Sequence, residues 1–212
     1  MFVFLDLETT GLEPMKDYIV QFAMVAVDNN LEEIGAPVYY DVALTAEGAG
    51  RLYTNPFVRK MHHESGLLRR LEHKIENPGT PGIPQLYELH RICSIEEVQQ
   101  KAFSYLCTIT QELDLSEMST TEPFFYLAGN SVHFDLAFMK VHMPKIASCF
   151  SHKILDITSI GMFEEKFGNG KINVYNSHEH DALSDVRNSL ELLRAYAQRC
   201  DLTQLLSKQI RR

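Results

Sequence analysis

An apolar strand that runs directly into two acidic residues constrains this chain more than any other feature. Residues 2–5 are all apolar and predict a buried strand, and Asp6 and Glu8 follow at once. Alternate residues of a strand lie on the same face, so both carboxylates point the same way. Like charges beside an apolar core are costly unless cations or hydrogen-bond donors compensate them. The pair predicts either a metal site or salt-bridged residues at a sheet edge.

Two later segments carry further candidates. Asp135 lies at a predicted junction of strand, loop and helix, where a first-turn role at the helix start is the alternative. Asp185 lies at the border of the apolar face of the last helix, and His180 comes five residues earlier. Two helical residues at that spacing would lie about 140° apart, so His180 must precede the helix to reach the same site. Asp181 competes with Asp185, but its place at the helix start favours a cap.

Together, these residues predict a two-metal nuclease. Two divalent ions held roughly 3.5–4 Å apart by carboxylates are a common apparatus for attack on a phosphodiester. We expect Asp6, Glu8, Asp135 and Asp185 to bind two Mg²⁺ or Mn²⁺ ions. Imidazole titrates near neutral pH and can take a proton from an attacking water, so His180 is the candidate general base. His178, two residues away, is the residue most easily confused with it.

Composition indicates a single domain without a membrane span. The chain has 212 residues, 45% of them hydrophobic, which favours one α/β domain over residues 1–200 and a tail over 201–212. No run approaches the ~20 apolar residues that a membrane helix needs, and a signal-peptide pattern is absent. The cysteines lie far apart without a Cys-x-x-Cys motif and favour a reducing cytoplasm; they are Cys93, Cys107, Cys149 and Cys200.

The net charge of −8 bears on the partner. Proteins that track long nucleic acids usually carry a basic stripe, and Lys and Arg are sparse here. The balance therefore favours a short nucleic-acid end over a long duplex.

Hydrophobic patterns predict a mixed sheet with helices on its faces. Three consecutive strands with short links predict an antiparallel meander, with a turn at Asp28–Asn30. A segment rich in Pro and Gly, residues 77–84, predicts a surface insertion. The predicted strands are 2–8, 18–27, 38–44, 124–129 and 153–156, and the predicted helical regions are roughly 55–75, 94–113, a stretch from 133, a stretch ending at 167, and 181–198.

The order of the acidic motifs resembles a known family. Asp6-x-Glu8, then Asp135, then His180 with Asp185 five residues on, is similar to the three exonuclease motifs of the DEDD superfamily, in its histidine-containing branch. The resemblance spans residues 6–185. It implies a ribonuclease H-like fold and 3′→5′ exonuclease activity.

Within that superfamily the chain is most similar to oligoribonuclease, in residues 55–67, 129–131 and 143–159. The resemblance implies short single-stranded substrates with RNA favoured over DNA, and it allows a homodimer. It assigns Leu12 as a wedge against the terminal bases, Phe57 and His62 to the base pocket, and Ser131 to the 5′ phosphate. The alternative is that Leu12 and Phe57 are core residues. Thr9, at a turn where substrate could approach, completes the candidates.

Some positions depart from oligoribonuclease. Thr9 stands in place of a methionine, His152–Lys153 in place of an aromatic–basic pair, and Gly161 in place of a lysine. These departures favour a relaxed preference for substrate length. A DNA exonuclease with a proofreading or end-trimming role remains the first alternative, and a nucleic-acid-binding protein on an inactive nuclease fold is the second.

Overall fold

A six-stranded mixed sheet forms the centre of the computed structural model, which describes residues 1–76, 92–112, 125–168, 170–174 and 180–199. The strands are β1 Phe2–Thr9, β2 Ile19–Val27, β3 Glu33–Val42, β4 Ile92–Cys93, β5 Phe125–Gly129 and β6 Phe150–Asp156. The helices are α1 Ala46–Thr54, α2 Pro56–Glu64, α3 Leu67–Glu76, α4 Ile95–Glu112, α5 His133–His142, α6 Pro144–Ala147, α7 Ile157–Phe167 and α8 Ala182–Arg199.

The sheet has the order β4-β3-β2-β1-β5-β6. β1, β2 and β3 form the predicted antiparallel meander, and β5 and β6 extend the sheet in parallel with β1. The carboxylate of Asp28 accepts hydrogen bonds from the backbone N–H groups of Asn30 (2.8 Å) and Glu32 (2.9 Å), which forms the predicted turn. Every residue of β2 is buried, and its sequence is apolar except for Gln21.

Helices cover both faces of the sheet, as predicted. On one face, Val3, Leu5 and Leu7 of β1 belong to the core shared with α4, α5 and α6. On the other face, Phe4 belongs to the core shared with α8, which includes Val186. Strand alternation therefore turns Asp6 and Glu8 toward the α8 side, in line with Phe4.

The helical region predicted over 55–75 is two helices. Pro56 occupies the first turn of α2, whose cap Asn55 accepts a hydrogen bond from the backbone N–H of Val58 at 3.3 Å. α2 ends before Gly66, which has φ +77° and separates it from α3. α1 was missed, because its short sequence contains two glycines and little apolar periodicity.

Other element boundaries also differ from the sequence pattern. β3 spans 33–42 and β6 begins at Phe150, so both predicted strands were displaced or too short. The predictions for residues 77–84, for His178 and for the tail 201–212 lie outside the described residues. Among the described residues, Cys93, Cys107 and Cys149 are not in disulfide bonds. Within the described part of the chain, no helix is long and apolar enough to cross a membrane.

The fold predicts a large difference between two phenylalanines. Phe22 on β2 is fully buried, whereas Phe57 on α2 is 77% exposed. We expect Phe22→Ala to lower the free energy of unfolding by about 3–5 kcal/mol, because it removes a packed ring and leaves a cavity. Phe57→Ala, the matched control, should change it by less than about 0.5 kcal/mol. Urea unfolding measures both, and equal effects would contradict the assigned core.

Candidate active site

The end of β1 forms the base of the candidate site. Asp6 is partly buried and Glu8 is only 6% exposed, and both face α8. The site lies beyond the point where β1 and β5 pair in parallel. Sites in α/β proteins commonly form at such strand ends.

Asp135 reaches this point from α5. It lies in the first turn of the helix and is 4% exposed. Its Oδ1 accepts a hydrogen bond of 2.9 Å from the backbone N–H of Leu7, which lies between Asp6 and Glu8. Asp135 therefore lies in the first turn of α5 and also bonds to β1. This hydrogen bond places the Asp135 carboxylate beside Asp6 and Glu8.

His180 and Asp185 approach from the start of α8. His180 lies just before the helix with φ +63°, outside the helical run as its predicted role requires. Its backbone N–H donates to Oδ2 of Asp185 at 2.9 Å. Potential ligand atoms of Glu8, His180 and Asp185 all lie within 4.8 Å of one another, and these three form the candidate metal cluster found among the described residues.

Asp181 has the capping role that its position predicts. Its Oδ1 accepts a hydrogen bond of 3.1 Å from the backbone N–H of Ser184. Its other carboxylate oxygen accepts a hydrogen bond from the hydroxyl of Tyr39 on β3. The cap therefore also fastens the start of α8 to the sheet.

A buried polar network, composed of Gln21, Asp41 and Arg70, continues this fastening. The backbone N–H of Ala182 donates to Oε1 of Gln21 at 2.8 Å, and Nε2 of Gln21 donates to Oδ1 of Asp41 at 2.7 Å. Nε and Nη2 of Arg70 donate to the two oxygens of Asp41 at 2.6 and 3.1 Å. Hydrophobic patterns do not predict this network, although a glutamine inside the apolar run of β2 is a visible signal of it.

The carboxylates are strongly perturbed. Burial raises the pKa of Glu8 to about 8, and the negative charges of Asp185, Asp181 and Asp135 add to this effect. Burial also raises the pKa of Asp135 to about 8, against the opposing hydrogen bond from Leu7. The pKa of Asp6 is raised well above its ordinary value by burial and by the charge of Asp135. These buried carboxylates can all be ionised at once only if a positive charge lies among them. Their oxygen atoms are ligands that suit divalent cations.

His62 on α2 contacts β1 next to the acidic site. Its ring is fully buried, and Nε2 lies 2.9 Å from the carbonyl oxygen of Thr9. Nδ1 lies 3.8 Å from Oε2 of Glu8 and has no hydrogen-bond partner among the described residues. Burial lowers the pKa of His62. The prediction that this ring lines a base pocket does not fit a side chain without exposed surface, and its contacts are those of a residue that positions β1.

The other predicted contacts are divided between surface and interior. Leu12 and Phe57 are 76% and 77% exposed, so the alternative that they are core residues is wrong. Thr9 is buried, and its hydroxyl donates to the carbonyl of Gly11 at 2.7 Å. Ser131 is exposed with φ +49° beside the site.

The loop that carries Ser131 is held from β6 and α7. The backbone N–H of Ser131 donates to Oδ1 of Asp156 and to Oγ1 of Thr158, each at 3.0 Å. Asp156 also caps α7 through the backbone N–H of Thr158 and contacts Nδ1 of His133 at 3.1 Å. One carboxylate thus fixes both the loop before α5 and the start of α7.

The buried network generates a testable prediction. We expect Gln21→Met to lower the free energy of unfolding by about 2–4 kcal/mol, because it removes the partner of the Ala182 N–H and a donor to the buried Asp41. Amide exchange at the first turn of α8 should accelerate more than exchange in α4. Gln100→Met, on the exposed surface of α4, is the control. Unchanged exchange at Ala182 would show that the network does not hold α8.

Curated proteins with similar sequences include two bacterial oligoribonucleases. That of Actinobacillus pleuropneumoniae is 26% identical over 196 residues, which cover 92% of this chain and 90% of the relative. That of Cutibacterium acnes is 27% identical over 198 residues, which cover 91% of this chain and 82% of the relative.

Solved structures with the same fold include exonuclease I from Methylocaldum szegediense, with a TM-score of 0.57, 18% identity and 93% of this chain covered. The metal-free complex of E. coli exonuclease I with single-stranded DNA has a TM-score of 0.61, 15% identity and 98% of this chain covered. This chain spans about 40% of the length of those proteins. At these identities the likeness shows the fold, and it confirms the predicted ribonuclease H-like α/β architecture.

The sequence profile of the exonuclease family matches residues 3–46 and 73–193, which is most of the chain. The match includes β1 with its acidic pair, α5 with Asp135, and the start of α8 with His180 and Asp185. The chain belongs to the exonuclease family of nucleases.

Proposed function

We propose that this protein is a 3′→5′ exonuclease that hydrolyses short single-stranded RNA to nucleoside 5′-monophosphates with two divalent metal ions. The observation that carries the proposal is that ligand atoms of Glu8, His180 and Asp185 lie within 4.8 Å of one another, beside the partly buried Asp6 and the buried Asp135. These groups come from one strand and the starts of two helices, and no packing requirement explains their convergence.

The metal ligands in this proposal are Asp6, Glu8, Asp135 and Asp185, and the ions are Mg²⁺ or Mn²⁺. When bound, divalent ions activate a water and offset the charge that develops on the leaving 3′ oxygen. The raised pKa values of Glu8 and Asp135 support the assignment, because they mark carboxylates that lack a counter-charge in the protein alone. A zinc-bound form of the E. coli exonuclease I complex with single-stranded DNA shares the fold.

The chain's own residues supply the proton transfer. The exposed ring of His180 takes the proton of the attacking water. The backbone N–H of His180 donates to Asp185, and this hydrogen bond fixes the segment to which the imidazole is attached. Asp135, tied to Leu7, keeps α5 and β1 in register around the reacting phosphate.

Two exposed apolar side chains suit unpaired bases. Leu12 and Phe57 present apolar surface that can stack against the terminal bases with little sequence preference, since every base has a π face. The exposed hydroxyl of Ser131 lies within 3.2 Å of Thr158 Oγ1, and the two form a polar contact for the 5′ phosphate.

RNA of short length is the favoured substrate because the similar curated proteins, at about 25% identity, are oligoribonucleases. The net charge of −8 agrees with a short substrate that needs few phosphate contacts. DNA is the second candidate. Exonuclease I complexes with single-stranded DNA share this fold, and one 2′-hydroxyl contact per nucleotide separates the two substrates.

Product analysis with 5′-labelled RNA and DNA oligomers of increasing length tests the proposal. We expect Mg²⁺-dependent loss of 3′ nucleotides from RNA, faster for oligomers of a few nucleotides than for long ones. Asp135→Ala should abolish turnover, and His180→Ala should lower kcat by about 10²–10⁴-fold because it removes the general base. His63→Ala, at an exposed position of α2, is the matched control and should leave kcat unchanged.

Three results would contradict parts of this proposal. Full activity of Asp135→Ala would remove the metal assignment. A pH–rate profile of His180→Ala that matches the wild type near neutrality would show that another group is the base. Equal or faster digestion of long DNA would make the DNA alternative correct.

The buried carboxylates predict how metal and pH affect stability. Because the pKa of Glu8 and Asp135 is about 8 in the folded protein and about 4 in an unfolded chain, the metal-free folded state binds more protons between these values. Stability should therefore fall as pH rises from about 4 to about 8. Mn²⁺ should raise Tm more at the upper end of this range than at the lower end.

Thermal unfolding in EDTA and in Mn²⁺ measures this dependence. Asp135→Asn should flatten the pH profile and reduce the Mn²⁺ effect. If Mn²⁺ left Tm unchanged at both ends, the inactive nucleic-acid-binding alternative would be favoured instead.

A further inference from the structure

A pocket of about 340 Å³ with a mixed polar and apolar lining opens beside the loop between β5 and α5. It lies between α7, α8 and residues 170–174, and Asn130 and Thr158 form part of its lining. None of the proposed catalytic residues lines it. Its volume is at the small end of the range for ligand sites in proteins, and it suits one nucleoside-sized group.

The pocket is continuous with the proposed phosphate contact. Thr158, which lines it, accepts a hydrogen bond of 3.0 Å from the backbone N–H of Ser131. Ser131 directly follows the lining residue Asn130 and precedes α5, which carries Asp135. A chain of nucleotides that leaves the acidic site past Ser131 therefore meets this pocket next.

The outer wall of the pocket is held in place by backbone hydrogen bonds. The N–H of Gly170 donates to the carbonyl of Glu164 on α7 at 3.0 Å. The N–H of Ile172 donates to the hydroxyl of Tyr196 on α8 at 3.2 Å. These two contacts hold the segment that contains the lining residues Lys171 and Asn173 against α7 and α8.

A glycine keeps the space open at the α7 side. A Cβ atom on Gly161 would lie 3.1 Å from the hydroxyl of Tyr196, which is tighter than ordinary packing. The absence of a side chain at this position leaves room between α7 and α8. The pocket is therefore a property of this packing and not a gap between unattached segments.

The lining groups match the parts of a nucleotide. Oδ1 of Asn188 is buried and has no hydrogen-bond partner among the described residues, so it offers an acceptor for a base N–H. Ile172 and Leu192 give apolar surface for the faces of a base. Lys171 offers a cation for a phosphate, and Glu165 offers an acceptor for ribose hydroxyls.

We propose that this pocket binds the third nucleotide from the 3′ end of the substrate. The inference rests on the proposed function, and it specifies that RNA of three or more nucleotides binds more tightly than a dinucleotide. Binding in the pocket adds contacts that a dinucleotide cannot make. Trinucleotides and longer RNA then bind more tightly, while dinucleotides still reach the metal site.

The test compares a dinucleotide with a trinucleotide and a tetranucleotide. Lys171→Glu and Asn188→Leu should each lower kcat/KM for the longer substrates by about tenfold and change it for the dinucleotide by less than about twofold. Lys166→Glu is the matched charge-reversal control, because Lys166 is exposed near the end of α7 and does not line the pocket. It should leave the length dependence unchanged. Circular dichroism confirms that each variant is folded.

Equilibrium binding in EDTA gives a second readout that does not depend on turnover. The wild type should bind a 5′-labelled trinucleotide more tightly than a dinucleotide, and Lys171→Glu should remove the difference. Equal losses for all lengths, or no loss at any length, would overturn the proposal. Turnover of RNA absent in the wild type, with the binding difference intact, would instead reject the proposed function alone.

A free mononucleotide could bring the same base and phosphate to the pocket. 5′-AMP added to the dinucleotide assay separates this source from a longer substrate. If AMP changed dinucleotide turnover through Lys171 while the length series stayed flat, the pocket would bind an effector and the proposal would be overturned. Competition by AMP against the trinucleotide but not the dinucleotide would support it.

Discussion

The burial of several carboxylates around the end of one strand is the constraint on which this structure depends. Asp6 and Glu8 lie side by side on β1, and Asp135 and Asp185 are brought to them by α5 and α8. Because these carboxylates repel one another, other contacts must hold α5 and α8 against the sheet. The hydrogen bond from Leu7 to Asp135 is one such restraint, and it joins the strand directly to a helix.

The second restraint is the polar network under α8. Asp41 is fully buried and is met by Arg70, while Gln21 connects Asp41 to the first N–H of the helix. The buried carboxylate of Asp41 accepts two hydrogen bonds from the guanidinium of Arg70 and one from Gln21. These bonds compensate its charge and fix the orientation of the side chains that donate them. The network fixes the position of the helix that carries Asp185.

The sequence predicted what depends on local periodicity and motif order. The side of β1 that carries Asp6 and Glu8 follows from alternation, and the non-helical place of His180 follows from helical spacing. The burial of His62 could not be predicted, because it depends on the packing of α2 beneath β1, which are 53 residues apart at the His62–Thr9 contact. The buried network escaped detection for the same reason. It joins side chains that only the folded sheet brings together.

The pairing of β1 has a consequence for how the chain is made. One edge of β1 pairs with β2 within the same hairpin, but the other edge waits for β5, more than a hundred residues later. At typical translation rates that edge stays open for on the order of ten seconds. An open apolar strand edge is a template for pairing with other chains. Charges at a strand end disfavour such pairing, and Asp6 and Glu8 stand near the end of this strand.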